Sequence, residues 1–142
     1  MIERIEFTTQ TWGDWTQRTQ TERFRFALIM TGGTIVMVPD KKGILIPSPN
    51  PQELINSSTH LTDTADIEII SLMNKDSSCM TTADWKTIAE SIITRYHHYD
   101  GFLVTHGTDT LAYSASAVRF ALGKRIYNPV VFTASQAPII RD

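Results

Sequence analysis

The sequence contains a single cysteine, Cys79. It therefore cannot form an intramolecular disulfide or a zinc site built from several cysteines, and one thiol is typical of a reducing compartment. We expect a cytoplasmic location. The four histidines show no metal-ligand spacing, so neither a metal nor another cofactor is predicted.

Long apolar runs and an excess of positive charge are also missing. No stretch approaches the roughly 20 apolar residues that cross a bilayer. Glu3, Glu6 and Asp14 stand where a secretory signal needs an apolar segment, so we expect no membrane partner and no secretion. Thirteen Lys and Arg are scattered among fifteen Asp and Glu, which leaves no basic stripe for phosphates. We therefore expect no nucleic-acid partner.

What is present fits one globular domain: 142 residues, 42% of them hydrophobic, with a net charge of -2. Residues 1–25 are rich in Thr, Gln and Arg and show no helical or strand periodicity, so they are predicted to be an N-terminal extension. Residues 26–142 are predicted to form the domain itself. The sequence contains no repeats and no low-complexity segment.

Within this domain, apolar strand-like runs alternate with helical patterns, which indicates an α/β fold with a parallel sheet and helices on both faces. A cluster of turn-forming residues at 39–43 predicts a hairpin. The predicted strands are 27–30, 67–73, 102–105 and 130–133, the hairpin arms are 36–38 and 44–46, and the predicted helices are 51–56 and 110–122, with a further helix between them.

That further helix shows the clearest amphipathic pattern of the chain. From Trp85 onward, apolar residues recur at spacings of three and four. Thr81 or Thr82 is available as the N-cap. The adjacent histidines His97 and His98 are predicted to close the helix as a solvated end that the helix dipole favours, and not as metal ligands.

Three polar motifs each follow an apolar strand candidate: Thr31–Ile35, Asp76–Met80 and His106–Thr110. In open parallel sheets, ligands bind beyond the carboxyl ends of the strands. We therefore expect the three motifs to face one pocket. The candidate functional residues are the hydroxyl and carboxylate side chains of these motifs: Thr34, Asp76, Ser77, Ser78, Thr108 and Asp109.

Each motif also has a purely structural interpretation, which stays open at this point. The Thr-Gly-Gly-Thr turn could be a tight strand exit whose glycines adopt positive φ. Asp76 could form an Asx turn. Asp109 or Thr110 could cap the helix that follows.

Taken together and in this order, the motifs resemble the bacterial-type L-asparaginase family, and most closely its cytoplasmic type I branch. Asp84–Trp85 and Tyr99–Phe102 extend the resemblance, which begins near Phe26. It implies a Rossmann-like α/β fold, of which this chain would hold the N-terminal part of the catalytic domain. It also implies hydrolysis of L-asparagine to L-aspartate and ammonia.

The resemblance assigns roles to individual residues. Thr34 matches the family's nucleophilic threonine and Thr108 its second catalytic threonine. Asp109 matches the acid that holds the substrate α-amino group and supports catalysis. Ser77 would hold the α-carboxylate, with its neighbours Asp76 and Ser78 completing the substrate-binding segment. Residues 133–136 look like the family's Thr-Gly-Ser-Gln segment, with alanine in place of glycine.

This chain differs from the type I pattern at two positions. Ile44 stands where the pattern places a tyrosine, and the family's catalytic lysine is expected beyond residue 142. Two hypotheses follow. In the first, the chain is an asparaginase-type amidohydrolase acting within a larger assembly, either a homo-oligomer or a complex with a second polypeptide that supplies the missing half. In the second, it is a catalytically inactive asparaginase-like remnant, an amino-acid-binding or interaction module.

A third hypothesis is an amidotransferase component that delivers ammonia for aminoacyl-tRNA amidation, as in a related archaeal branch. The short extension and the acidic balance of the chain argue against it.

Overall fold

The computed structural model describes residues 23–50, 63, 65–124 and 126–139. The predicted helix at 51–56 and nearly all of the predicted extension lie outside the described residues. No helix of the described part is long and apolar enough to cross a membrane. The elements in chain order are β1 (Phe24–Met30), β2 (Met37–Pro39), β3 (Leu45–Pro47), β4 (Ala65–Ser71), α1 (Thr82–Ile93), β5 (Gly101–Thr105), α2 (Leu111–Leu122) and β6 (Val130–Thr133).

Four strands form a parallel sheet in the order β4-β1-β5-β6. β1, one of the two inner strands, pairs on both sides, so that Phe26 lies between Ile67 and Gly101. All four carboxyl ends therefore lie at one edge of the sheet. The predicted α/β fold with a parallel sheet is confirmed. β1 begins at Phe24 and β4 at Ala65, three and two residues earlier than predicted.

Alternate residues of the sheet pack against the two described helices. Ala27 and Ile29 of β1 share a buried core with Ile88 and Ile92 of α1 and Val118 of α2. Ile29, Ile88 and Ile92 have no exposed surface. Burying a side chain of this size stabilises a fold by about 1.5–3 kcal/mol, so these three residues contribute strongly to the stability of this face.

The other face of the sheet is covered by a shorter element. Leu28 and Met30 point to this face and pack against Ile35 and Val36. These two residues belong to a 3-10 turn over Thr34–Val36, which follows β1 after the two glycines. In the described part of the chain, both helices lie on the first face and this turn covers the second. The turn thereby fixes the position of Thr34 at the sheet edge.

Of the two threonines that the sequence offers as N-cap of α1, the structure uses Thr81. The hydroxyl of Thr81 accepts a hydrogen bond from the backbone of Asp84, and the Asp84 carboxylate accepts from the Thr81 backbone. Thr81 is thus the N-cap, and the pair satisfies two amides that the first helical turn leaves free.

The predicted end of α1 at His97 and His98 is wrong, because the helix ends at Ile93. The hydroxyl of Thr94 and the guanidinium of Arg95 donate to carbonyls of the last helical turn, at 2.8 Å and 3.1 Å. Of the carbonyls in this turn, that of Ser91 is the one a further turn would have used, and side chains satisfy it instead. Both histidines lie in a separate 3-10 turn.

The predicted hairpin is confirmed: β2 and β3 pair antiparallel. The Asp40 carboxylate accepts hydrogen bonds from the backbone amides of Lys42 and Ile44, both at 2.8 Å, and Gly43 adopts a φ of 77°. These contacts close the turn. Ile44 lies at its tip and is 59% exposed.

Candidate active site

The three motifs converge on one cleft at the carboxyl edge of the sheet, with a volume of about 320 Å3. This cavity is within the range of small-molecule sites. Five of the six candidate residues line it: Thr34, Asp76, Ser77, Thr108 and Asp109. The expectation that three sequence-distant motifs share a pocket is thereby confirmed.

The two glycines of the first motif are required by close packing as well as by backbone conformation. Gly32 and Gly33 have φ values of 115° and 87°. A Cβ atom on Gly32 would lie 2.5 Å from the carbonyl oxygen of Lys75, and one on Gly33 would lie 2.5 Å from that of His106. The glycine loop is therefore held between the two neighbouring loops, and no other residue type fits at either position.

The second and third motifs also touch directly. A Cβ atom on Gly107 would lie 2.5 Å from the hydroxyl oxygen of Ser77. The hydroxyl of Thr110 donates to the carbonyl of Ser77 at 2.7 Å. Thr110 is the N-cap residue of α2 but makes no capping bond with its side chain, so the capping role considered for it is wrong. Its hydroxyl instead joins two loops of the cleft.

Thr34, the proposed nucleophile, begins the 3-10 turn directly after Gly33. The amide of Val36 donates to the carbonyl of Gly33 at 3.2 Å, which closes this turn. Thr34 is half-buried and lines the cleft, while the next two residues anchor the turn in the apolar core. The hydroxyl is thus presented by a short and well-anchored element.

Thr108 lines the same cleft and belongs to a small polar network. Its hydroxyl donates to the Asp109 carboxylate over 3.4 Å and accepts a hydrogen bond of 3.1 Å from the side-chain amide of Gln136. Gln136 lines the cleft and was not among the candidate residues. The sequence could have indicated Gln136 through its position shortly after β6, because this fourth strand ends at the same edge of the sheet.

Asp76 closes an Asx turn, as its structural interpretation predicts. One carboxylate oxygen accepts from the backbone amide of Ser78 at 2.8 Å and from its hydroxyl at 2.7 Å. These two hydrogen bonds lower the pKa of Asp76 below its ordinary value. The hydroxyl of Ser78 is thus engaged with Asp76, and Ser78 is exposed outside the cleft lining.

The cleft lining includes one cation among the described residues, Lys75. Its ammonium group donates to the carboxylate of Asp84 at 2.6 Å. Hydrogen bonds from Lys75 and Thr81 hold the pKa of Asp84 at about 2. Sequence reasoning missed this pair, because the two residues are nine positions apart and belong to a loop and to a helix.

His106, the first residue of the third motif, is fully buried. Its Nδ1 donates to the carbonyl of Gly107 at 2.8 Å, which orients the peptide next to Thr108. Its Nε2 has no hydrogen-bond partner among the described residues. Within this part of the chain, no group of three or more His, Cys, Asp or Glu side chains could hold a metal ion.

Ile44 is not part of the cleft lining. The hairpin instead contributes Met37 and Pro47, one residue from each arm. The two arms of the hairpin therefore border the cleft, whereas Ile44 at its exposed tip is not part of the described lining.

The family model "Asparaginase, N-terminal" matches residues 25–141. This chain belongs to the asparaginase family. L-asparaginase 1 of Escherichia coli strain K12 is 42% identical over 114 residues, which cover 77% of this chain and 33% of that protein. A glutamyl-tRNA(Gln) amidotransferase subunit of Thermoplasma volcanium is 32% identical over 126 residues, which cover 84% of this chain and 30% of that protein.

The fold of this asparaginase-family chain is shared with a solved type I enzyme. The crystal structure of L-asparaginase I from Vibrio cholerae superposes with a TM-score of 0.70 at 36% identity, covering 84% of this chain and 36% of that one. The resemblance to the type I branch is thereby confirmed. This chain spans about a third of the length of the two relatives named above.

Proposed function

We propose that this chain forms the nucleophile-bearing part of an asparaginase-type amidohydrolase that converts L-asparagine to L-aspartate and ammonia. The observation that carries the proposal is the convergence of Thr34, Thr108 and Asp109 on one cleft. Two hydroxyls and a carboxylate at the edge of a parallel sheet suit acyl transfer, and membership of the asparaginase family supports the reaction class.

In the proposed reaction, the hydroxyl oxygen of Thr34 attacks the side-chain amide carbon of the substrate. The carbon–nitrogen bond breaks, ammonia leaves with the transferred proton, and water then hydrolyses the ester to release L-aspartate and regenerate the hydroxyl. Thr108 and Asp109 form the proton relay, and the Gln136 amide orients Thr108 within it. A threonine hydroxyl needs such assistance because its pKa lies far above neutrality.

The charges of the cleft support an α-amino acid as the ligand. Asp109 would bind the α-amino group, since a carboxylate stabilises an ammonium group at short range. Ser77 would hold the α-carboxylate, with Asp76 shaping the loop around it. Ser78 would support this segment through Asp76, to which its hydroxyl donates a hydrogen bond.

Ammonia release from L-asparagine by the purified chain tests the proposal. Thr34→Ala serves as the contamination control, and Thr34→Ser as the matched variant that keeps a hydroxyl. We expect turnover that Thr34→Ala abolishes and Thr34→Ser partly retains. Equal rates of ammonia release from the wild-type and Thr34→Ala proteins would exclude amidohydrolysis by this chain alone.

One observation favours a second candidate, an amino-acid-binding module without turnover. Ile44, which replaces the tyrosine of the type I pattern, has an aliphatic side chain that cannot accept or donate a proton. Titration calorimetry with L-aspartate, combined with the ammonia assay, decides between the candidates. Binding by a chain without amidase activity supports the module, and Ile44→Tyr then tests whether a phenol at this position gives activity.

We further propose a cytoplasmic location and an assembly, either a homo-oligomer or a complex with a second polypeptide. The single thiol suits a reducing compartment. The Thermoplasma relative is by its name one component of a larger amidotransferase. Native mass spectrometry tests the assembly, and stable monomers as the sole species would contradict it.

A further inference from the structure

Lys75 connects two parts of the molecule through different groups. Its backbone amide donates to the carbonyl of Thr31 at 2.9 Å, in the loop that leads to Thr34. Its side-chain ammonium donates to the carboxylate of Asp84 in α1 at 2.6 Å. One residue therefore joins the nucleophile loop to the start of a helix.

The helix end of this connection is firmly fixed. The same Asp84 oxygen that binds Lys75 accepts hydrogen bonds from the backbone amide and the hydroxyl of Thr81, both at 2.7 Å. The side chains of Lys75 and Asp84 are only 33% and 19% exposed. The pair is thus less screened by solvent than a surface ion pair, whose contribution is small.

The loop end of the connection has little freedom. The backbone of Lys75 lies so close to Gly32 that a Cβ atom there would be 2.5 Å from the Lys75 oxygen and 2.7 Å from its nitrogen. A shift of Lys75 must therefore displace Gly32 or break the bond to Thr31. Thr34 lies two positions after Gly32. A shift of Lys75 is therefore expected to move the Thr34 hydroxyl, which the proposed reaction uses.

We propose that Lys75 is a positioning residue of the cleft: its ion pair with Asp84 anchors the loop on which the nucleophile Thr34 is oriented. This inference rests on the proposed function. Lys75 lines the cleft, but its ammonium group is bound to Asp84, so we expect the ion pair to act on geometry far more than on substrate affinity. A misplacement of about 1 Å at a reacting group can cost up to a hundredfold in rate.

The test compares Lys75→Met with Lys75→Arg, which keeps a donor for Asp84. Lys86→Met is the matched control, because Lys86 also lies near the start of α1 but is 75% exposed and pairs with Glu90 on the surface. We expect Lys75→Met to lower kcat for L-asparagine about tenfold with KM changed less than twofold. Lys75→Arg should restore most of kcat, and Lys86→Met should leave it unchanged.

Hydrogen exchange of the backbone amides of Thr31 and Lys75 provides a second measurement that needs no turnover. These amides are bonded across the loops to Thr105 and Thr31. We expect about tenfold faster exchange in Lys75→Met and an unchanged rate in Lys86→Met. Should Lys75→Met fail to fold, Asp84→Asn breaks the same ion pair and is expected to accelerate exchange at the same two amides.

The outcomes separate the two proposals. A wild-type chain without ammonia release overturns the proposed function, while the exchange rates still decide whether Lys75 anchors the loop. Exchange at Thr31 and Lys75 that is equal in Lys75→Met and Lys86→Met overturns the positioning role. A fall in kcat without faster local exchange overturns it as well.

Discussion

The side-chain amide of Gln136 donates a 3.1 Å hydrogen bond to the hydroxyl of Thr108. This bond joins the loop after β6 to the loop after β5. It also orients the Thr108 hydroxyl, which the proposed proton relay uses. We expect Gln136→Leu to lower kcat for L-asparagine about tenfold, since a positioned proton-transfer group contributes on the order of 10²–10⁴. Steady-state ammonia release measures this effect.

The same variant should fold normally, because Gln136 is exposed. An unchanged thermal midpoint serves as the control. Wild-type kcat in Gln136→Leu would show that the amide has no part in orienting Thr108.

Gly33 and Gly43 form a matched pair for testing the packing of the loops. Both have positive φ, but a Cβ atom on Gly33 would lie 2.5 Å from the His106 carbonyl, whereas one on Gly43 meets nothing within 4 Å. We expect Gly43→Ala to cost about 1–2 kcal/mol through backbone strain. Gly33→Ala should lower the unfolding free energy by about 3 kcal/mol or more. The positive φ of Gly33 is combined with a ψ of 161°, a backbone conformation that essentially only glycine adopts.

Denaturant unfolding of both variants measures these costs. Equal losses of unfolding free energy would mean that the neighbouring loop relaxes and that the close approach of His106 carries no energy.

Sequence periodicity predicted the elements whose residues are patterned locally. The spacing of Trp85, Ile88 and Ile92 predicted α1, and the apolar run at 130–133 predicted β6 with its observed bounds. The end of α1 was not predictable in this way, because it depends on the side chains of Thr94 and Arg95 folding back onto the last carbonyls.

The cleft was predictable as a meeting point of strand ends, but its internal contacts were not. The hydroxyl of Thr110 had two possible partners, the helix N-terminus and the Ser77 carbonyl, and only the packed loops select the second. The contribution of Gln136 requires the sheet order, which places β6 next to β5. Contacts between distant loops are set by tertiary packing and leave no local pattern.

Asp84 makes the stability of the chain depend on pH in the acid range. Its pKa is about 2 in the folded protein, against an ordinary value of 3.8. The folded state therefore binds the proton more weakly than the unfolded state, and the stabilisation is present above pH 3.8 and is lost as the pH falls towards 2. We expect the unfolding free energy of the wild type to drop across this window.

Asp84→Asn should show a shallower drop over the same range, and denaturant titrations at pH 2, 3, 4 and 6 check this. Parallel pH profiles for the wild type and Asp84→Asn would contradict the assignment. Asp76, whose pKa is also lowered, is expected to add to the slope in both proteins.

A buried polar contact joins the two helices. The indole nitrogen of Trp85 donates to the hydroxyl of Ser114 at 2.8 Å, and Ser114 has no exposed surface. Ser114→Ala removes the acceptor and is expected to cost about 1–3 kcal/mol of unfolding free energy. Ser116→Ala, on the exposed side of α2, should stay within about 0.5 kcal/mol.

Thermal or denaturant unfolding compares the two serine variants. Similar stabilities would indicate that water or another acceptor replaces the Ser114 hydroxyl at the indole.

The lining of the cleft has a consequence for the folding of the chain. Its residues come from the ends of β1, β4, β5 and β6 and from the hairpin, and they are spread from Gly33 to Gln136. A bound amino acid would thus act as a reversible cross-link between segments up to about a hundred residues apart. Because the unfolded chain has no such site, saturating ligand would shift the folding equilibrium of the whole domain, and a screen of melting temperatures could identify ligands of this chain before any reaction is assayed.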